Sequence, residues 1–124
     1  MELVVLAEPL SVFQIHDVKD IDLSVRPLYL GLTQDELSVV APTTAVPEQT
    51  VNREDGWRAF KISGVLDFSL VGILAKISSL LADESISIFA ISTYNTDYVL
   101  VKEENYHNAV AALQHANYTV ITAD

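Results

Sequence analysis

The side chains able to do chemistry are few and scattered. There are three histidines, His16, His107 and His115. The last two lie eight residues apart in a stretch of helical pattern. At 3.6 residues per turn they fall roughly 80° apart around the axis, a poor arrangement for chelating one metal ion. Both read as solvent-facing helix residues. Asp17, Asp20 and Asp22 stand close to His16, the raw material of a cation-binding loop. No glycine or terminal glutamate completes the spacing of an EF-hand, so a solvated acidic turn is the plainer reading. The absence of cysteine removes thiolate zinc sites and disulfides together. No Gly-x-Ser-x-Gly elbow, P-loop or dinucleotide fingerprint occurs, and no nucleophile stands beside a base. The sequence reads as a non-enzyme without metal or cofactor.

The bulk properties narrow the class further. With 124 residues, half of them hydrophobic, the chain suits one compact domain or two very small ones sharing a core. Seventeen acids against seven bases leave a net charge of −10. Such a surface repels phosphate backbones and anionic lipid, so neither nucleic acid nor a membrane is an expected partner, whereas a cationic ligand is favoured. No apolar run reaches the ~18–20 residues of a membrane span. The longest candidate, Val65 to Ala82, is interrupted by Asp67, Gly72 and Lys76. Met1 to Ala7 has no basic start and only a short apolar run, so no signal peptide is expected and the localisation reads as cytoplasmic.

Periodicity then supplies the elements. Leu70, Ile73, Leu74, Ile77, Leu80 and Leu81 recur at three- and four-residue spacing, which predicts a helix from about Phe68 to Ala82 with Asp67 as its N-cap. Ile86 to Ile91 alternates with period two, Asn95-Thr96-Asp97 makes a turn, and Tyr98 to Val101 runs back. Tyr106, Ala109, Val110 and Leu113 predict a second amphipathic helix that stops around Asn117, and Tyr118 to Thr122 a closing strand. With Arg58 to Ile62 ahead of the first helix, the order is strand–helix–strand–strand–helix–strand, the ferredoxin-like α+β motif with both helices on one face of an antiparallel sheet.

The first half carries a fainter copy. Leu3 to Leu6 and Ser11 to Ile15 read as strands, and Leu28 to Leu32 with Glu36 to Val40 as a hairpin. Asp17 to Leu23 is too acidic and too short for a clear helix. Pro42 and Pro47 leave a loop or one turn of helix, and Asn52 to Gly56 reads as turn chemistry. At an offset of sixty residues, Leu32-Thr33 corresponds to Ser92-Thr93, Ser38-Val39-Val40 to Tyr98-Val99-Leu100, and Arg58 to Ile62 to Tyr118 to Thr122. The expectation is two side-by-side units: residues 1–56, degenerate with eroded helices, and residues 57–124.

Gly72-Ile73-Leu74-Ala75-Lys76-Ile77, followed by Asp83-Glu84-Ser85-Ile86-Ser87-Ile88, resembles the signature of ACT domains. Leu66-Asp67-Phe68-Ser69-Leu70 together with Ile91-Ser92-Thr93-Tyr94-Asn95-Thr96-Asp97-Tyr98-Val99-Leu100-Val101 is more particular. These stretches resemble the small bacterial tandem-ACT proteins related to the CASTOR-type arginine sensors. Gln34 to Val40 resembles the first unit of the same subfamily. One departure is Val71, where many ACT domains place a proline before the helix glycine.

The resemblance implies a regulatory domain that binds a free amino acid between two ACT units, with arginine suggested by kinship. It implies ligand contacts along the loop and first helical turn, Asp67, Phe68, Leu70, Gly72 and Ile73, and along Thr93, Tyr94 and Asp97. The chemistry of these residues agrees. A helix start offers unpaired N–H groups to a carboxylate, and a glycine there lets a ligand approach the backbone. Asp97 can accept an ammonium or guanidinium, Thr93 offers a hydroxyl, and Tyr94 an apolar wall with a polar tip. Duller readings stand beside these: Asp67 as a helix cap, Asp97 as a turn residue, Gly72 for packing, Ile73 as core. The rival function is an interaction module that dimerises or docks through exposed sheet edges.

Overall fold

The computed structural model describes residues 1–62 and 72–122. They group into two compact units, Glu8–Trp57, and Met1–Ala7 together with the chain from Arg58 onward. The sequence placed everything before residue 57 in one unit. The structure instead groups the first seven residues with the second.

The first unit builds its sheet from β2 (Leu10–Gln14), β3 (Tyr29–Leu32), β4 (Leu37–Pro42) and the opening half of β5 (Asn52–Ile62). Their spatial order is β3-β4-β2-β5, with every neighbouring pair antiparallel. Numbered along the chain that order is 2-3-1-4, the ferredoxin-like arrangement. Its two crossovers carry only three-residue 3-10 turns, Val18–Asp20 and Thr43–Ala45, where helices would stand. Asp17 caps the first by accepting from the Lys19 N–H at 2.9 Å. Pro42 immediately precedes the second and Pro47 follows it, so a longer helix would lose hydrogen bonds at both ends. Phe13, Ile15, Ile21, Val39 and Ala41 form the core, and Val25, Leu28, Ala45 and Val46 from the crossovers cover it.

Asn52 to Gly56, expected as a turn, is strand. Leu10 faces Trp57 while Val12 faces Glu54, so Asp55 and Gly56 are the extra residues of a bulge opposite Ser11. Gly56 takes φ +82°, which a side chain would resist. The buried Ser11 hydroxyl donates to Asp55 Oδ1 at 2.6 Å and lies 2.9 Å from the Thr43 hydroxyl. The turn-forming residues are there for the bulge; pairing with β2 overrides their local preference.

The second unit contains the rest of β5, then α1 (Ile73–Asp83), β6 (Phe89–Ser92), β7 (Asp97–Lys102), α2 (Tyr106–His115) and β8 (Thr119–Thr122). The ferredoxin-like order holds, with one addition. The chain's first strand, β1 (Glu2–Val5), lies between β5 and β8, giving β6-β7-β5-β1-β8. It pairs antiparallel with β5 (Leu3 with Ile62) and parallel with β8 (Leu3 with Val120). Ile77 and Leu81 of α1 and Ala109 and Leu113 of α2 share one core with Leu3, Val5, Phe60, Ile62, Val99 and Val101, so both helices press on the same face. Helix α1 begins at Ile73 with Gly72, at φ +83°, as its N-cap; the expected start at Phe68 and the expected cap Asp67 lie outside the described residues. The alternation at Ile86 to Ile88 does not extend the strand, which opens at Phe89.

Both helices stop in the same way. The Ile86 N–H returns to the Leu81 carbonyl at 2.9 Å and that of Ser85 to Ala82 at 2.9 Å, with Ser85 left-handed at φ +60°. At the end of α2, Tyr118 returns to Leu113 at 3.0 Å and Asn117 to Gln114 at 3.0 Å, with Asn117 at φ +73°. These are Schellman stops, each closed by an apolar residue: Ile86, which belongs to the core, and Tyr118, which is half-buried and packs against it.

Candidate functional site

The residues singled out from the sequence sit on two elements of the second unit. Asp67, Phe68 and Leu70 lie outside the described residues. At the start of α1, Gly72 is exposed, and a Cβ added there would meet nothing within 4 Å. Its glycine character therefore answers the positive φ and not close packing. The first helical bond runs from the Lys76 N–H to the Gly72 carbonyl at 2.9 Å. The preceding N–H groups have no acceptor within the helix, and they sit at its positive end. Ile73 is half-buried against the helix–sheet core, so its first role is packing. Gly72 also opens a shallow groove of about 480 Å³ along α1, lined by Ala75, Lys76, Ser79, Leu80 and Asp83.

The other element is the β6–β7 hairpin. Thr93 holds its bend: its N–H donates to the Thr96 carbonyl at 2.8 Å, and its hydroxyl reaches the same oxygen at 3.1 Å. Thr96 is buried, and its hydroxyl donates to the Ile62 carbonyl at 2.8 Å, tying the bend to β5. Tyr94 stands at the tip, 83% exposed. Asp97 is half-buried and is the first residue of β7, directly opposite Ser92. The Ser92 hydroxyl donates to Asp97 Oδ1 at 2.5 Å. Asp97 thus points a carboxylate held by a cross-strand neighbour, while the bend itself is served by Thr93. Sequence reasoning missed Ser92. A four-residue bend from Thr93 to Thr96 sets Ser92 and Asp97 face to face, and that spacing was the available signal.

Nothing here resembles a metal centre. His16, His107 and His115 are all exposed, and among the described residues no three His, Asp or Glu side chains are grouped to hold an ion. The hairpin lies wholly within the stretch, residues 52–115, that matches the model of the ACT domain. The chain belongs to the ACT-domain family. That match runs from the start of β5 to the end of α2, which is most of the second unit.

This ACT chain is 41% identical over 59 residues to the cytosolic arginine sensor for mTORC1 subunit 1 of Homo sapiens, and equally to that of Bos taurus. The shared stretch covers 47% of this chain and only 18% of the sensor. Among solved structures, a protein from Agrobacterium tumefaciens superposes with a TM-score of 0.86 at 24% identity, covering 99% of this chain and 93% of that one. The aspartate kinase of Synechocystis superposes with a TM-score of 0.70 at 18% identity, covering 99% of this chain and 28% of the kinase. These likenesses show the ACT fold, and the matched stretch spans less than a fifth of the sensors' length.

Proposed function

We propose that this protein is a non-catalytic cytoplasmic sensor for a free amino acid, seated against Gly72 and the first turn of α1 on one side and Thr93, Tyr94 and Asp97 on the other. The observation that carries the reading is the Asp97 carboxylate, half-buried and aimed by the Ser92 hydroxyl, in a chain of the ACT family. Asp97 takes the ammonium or a guanidinium, and the N–H groups of the first helical turn take the α-carboxylate. A second ACT unit closes the seat, as the family resemblance implies. Arginine leads the ligands, on the match to proteins named as arginine sensors and on the net charge of −10. Regulation follows only if the ligand binds one arrangement of the protein better than another.

A thermal-shift screen of the twenty amino acids tests this. Ligand at a hundred times its Kd adds about 2.7 kcal/mol, and a domain of this size then melts roughly 3–7 °C higher. The expected result is a shift with one or a few amino acids that Asp97→Ala abolishes. No shift, in protein shown to be folded and stripped of carried-over ligand, would sink the sensor reading.

Exposed apolar side chains on an edge strand favour a second reading. β3 ends the first unit's sheet, and its Leu30 and Leu32 are exposed. On that reading the chain is an interaction module that pairs through this edge into a homodimer. Light scattering of wild type against Leu32→Lys decides it: a dimer that the lysine converts to monomer supports edge pairing, and a monomeric wild type rules it out.

A further inference from the structure

The first unit's sheet has less cover than the second's. Fourteen residues, 15–28, join β2 to β3, against the twenty-six, 63–88, that join β5 to β6 and include α1. The difference is about the length of α1, which has eleven residues. We propose that the margin this leaves, the leucines of β3 on the core side of the sheet, docks one amphipathic helix of a partner protein, with lysine or arginine beside its apolar stripe.

Register fixes which side chains face that way. Residues directly opposite in a ladder point to the same side of the sheet. Leu30 is opposite Val39 and Leu32 is opposite Leu37. Val39 belongs to the core and Leu37 packs against it, so both β3 leucines lie on the side where helices would stand. The crossover covers Phe13 and Val39 with Ile21, Val25 and Leu28, and leaves β3 open: Leu30 is 40% exposed and Leu32 48%.

The second unit shows that the hairpin does not need leucine there. At the sixty-residue offset the pairs are Ala90 with Val99 and Ser92 with Asp97. That margin is exposed as well, but it is small and polar. Where the second unit sets a hydroxyl against a carboxylate, the first sets Leu32 against Leu37. Half-exposed leucines add less to a core than buried ones, and side by side they mark a contact surface.

Charge and shape select the occupant. Asp35 and Glu36, both exposed, stand in the bend that joins Leu32 to Leu37. Asp17, Asp20 and Asp22 precede Leu23, which is itself 55% exposed on the crossover. Of the two bases there, Arg26 turns Nη1 back onto the Leu23 and Val25 carbonyls at 2.7 Å, which leaves Lys19. A second copy of the chain, at −10, would meet repulsion, whereas a basic helix meets the opposite sign. A helix suits the place because the second unit puts one on this side of its sheet, where Ile77 and Leu81 share a core with Val99.

The probe is a fluorescein-labelled 18-residue peptide of leucine and lysine, roughly two turns of leucine per heptad at helical spacing. Fluorescence anisotropy with the full chain in 0.15 M salt, roughly physiological, is expected to show saturable binding below about 100 µM. Leu30→Ser/Leu32→Ser, which keeps every charge, should weaken it by about tenfold or more. Ile121→Ser, at an equally exposed position on β8, should leave it unchanged. A leucine–glutamate peptide of the same pattern should not bind. Circular dichroism confirms that each variant is folded. The inference is overturned if the peptide does not bind, if binding survives the double leucine variant, if Ile121→Ser weakens it equally, or if the glutamate peptide binds as well. It stands apart from the amino-acid reading, which fails in the Asp97→Ala melting experiment. It is also distinct from edge pairing, which uses the outward backbone groups of β3 and reads out as a dimer in light scattering without peptide.

Discussion

Thr33 and Thr93, sixty positions apart, hold the same post in two different hairpins. The Thr33 N–H bonds the Glu36 carbonyl at 2.9 Å and the Thr93 N–H bonds the Thr96 carbonyl at 2.8 Å, with each hydroxyl reaching the same oxygen as its own N–H. The correspondence extends along both arms: β3 and β4 run Tyr29–Leu32 and Leu37–Pro42, while β6 and β7 run Phe89–Ser92 and Asp97–Lys102. The 3-10 turns that follow, Thr43–Ala45 and Glu103–Asn105, keep the same offset. Two units that share bend, register and turn to the residue are structural repeats of one hairpin.

The two bends differ in what lies one residue before the second arm, and their stabilities should differ with it. Thr96 is buried and bonds the Ile62 carbonyl, whereas Glu36 at the matching place is exposed. Thr96→Val strands that carbonyl and should cost about 1–3 kcal/mol. Glu36→Val should cost under about 1 kcal/mol, within the range of surface substitutions. Urea midpoints of the two variants measured side by side check the order.

Ser85 ends α1 in a left-handed conformation that costs an L-residue about 1–2 kcal/mol. Ser85→Gly should therefore raise stability by about 0.5–1 kcal/mol, after allowing for the extra freedom glycine brings to the unfolded chain. Asn117→Gly at the end of α2 should gain less, since asparagine tolerates this region better. Melting temperatures of the two variants, ranked against wild type, provide the comparison.

Arg58 lies with its guanidinium carbon 4.4 Å from the centroid of the Tyr106 ring and its Nη1 3.3 Å from Glu103. Phe60, two residues on, stacks on the same tyrosine at 5.9 Å, so β5 grips the first turn of α2. The Glu103 side chain is 60% exposed, which makes the ion pair the weaker contact. Glu103→Gln should cost under about 1 kcal/mol and vanish at high salt. Tyr106→Leu, which removes the cation–π and ring contacts, should cost about 1–2 kcal/mol and persist in salt. Chemical denaturation with and without added sodium chloride separates the two.

Asp22 gives the first unit a pH dependence. The Ser24 hydroxyl at 2.7 Å, and then the Ser24 N–H at 2.9 Å, donate to its carboxylate and hold its pKa below the usual carboxylate range. A lowered folded-state pKa means that the contribution is present above the unfolded value, about 4, and is lost as the pH falls through the folded one. Ser24→Ala should be less stable than wild type at pH 6, with the difference shrinking below about pH 4. Urea midpoints across pH 2–6 read this directly; a constant gap would contradict it.

The sequence by itself determined the elements whose signals are local and whose burial is one-sided. Helix α2 with its stop at Asn117, strand β7, and both hairpins follow from period and turn chemistry, because each residue pattern there matches the face it buries. The 60-residue repeat was legible for the same reason, since a bend needs its threonine whatever surrounds it. Tertiary structure decided the rest. Nothing in Leu3-Val4-Val5 says whether it joins the strands that follow it or, as it does, lies between β5 and β8, because any apolar strand satisfies any open edge. Asn52 to Gly56 carries turn residues that pairing with β2 converts into a bulged strand. For the candidate site, Asp97, Thr93 and Gly72 could be picked out by type and family resemblance. That Ser92 aims the Asp97 carboxylate, and that the first unit sets Leu30 and Leu32 on an uncovered margin, depends on register and burial, which arise only when strands and crossovers are brought together.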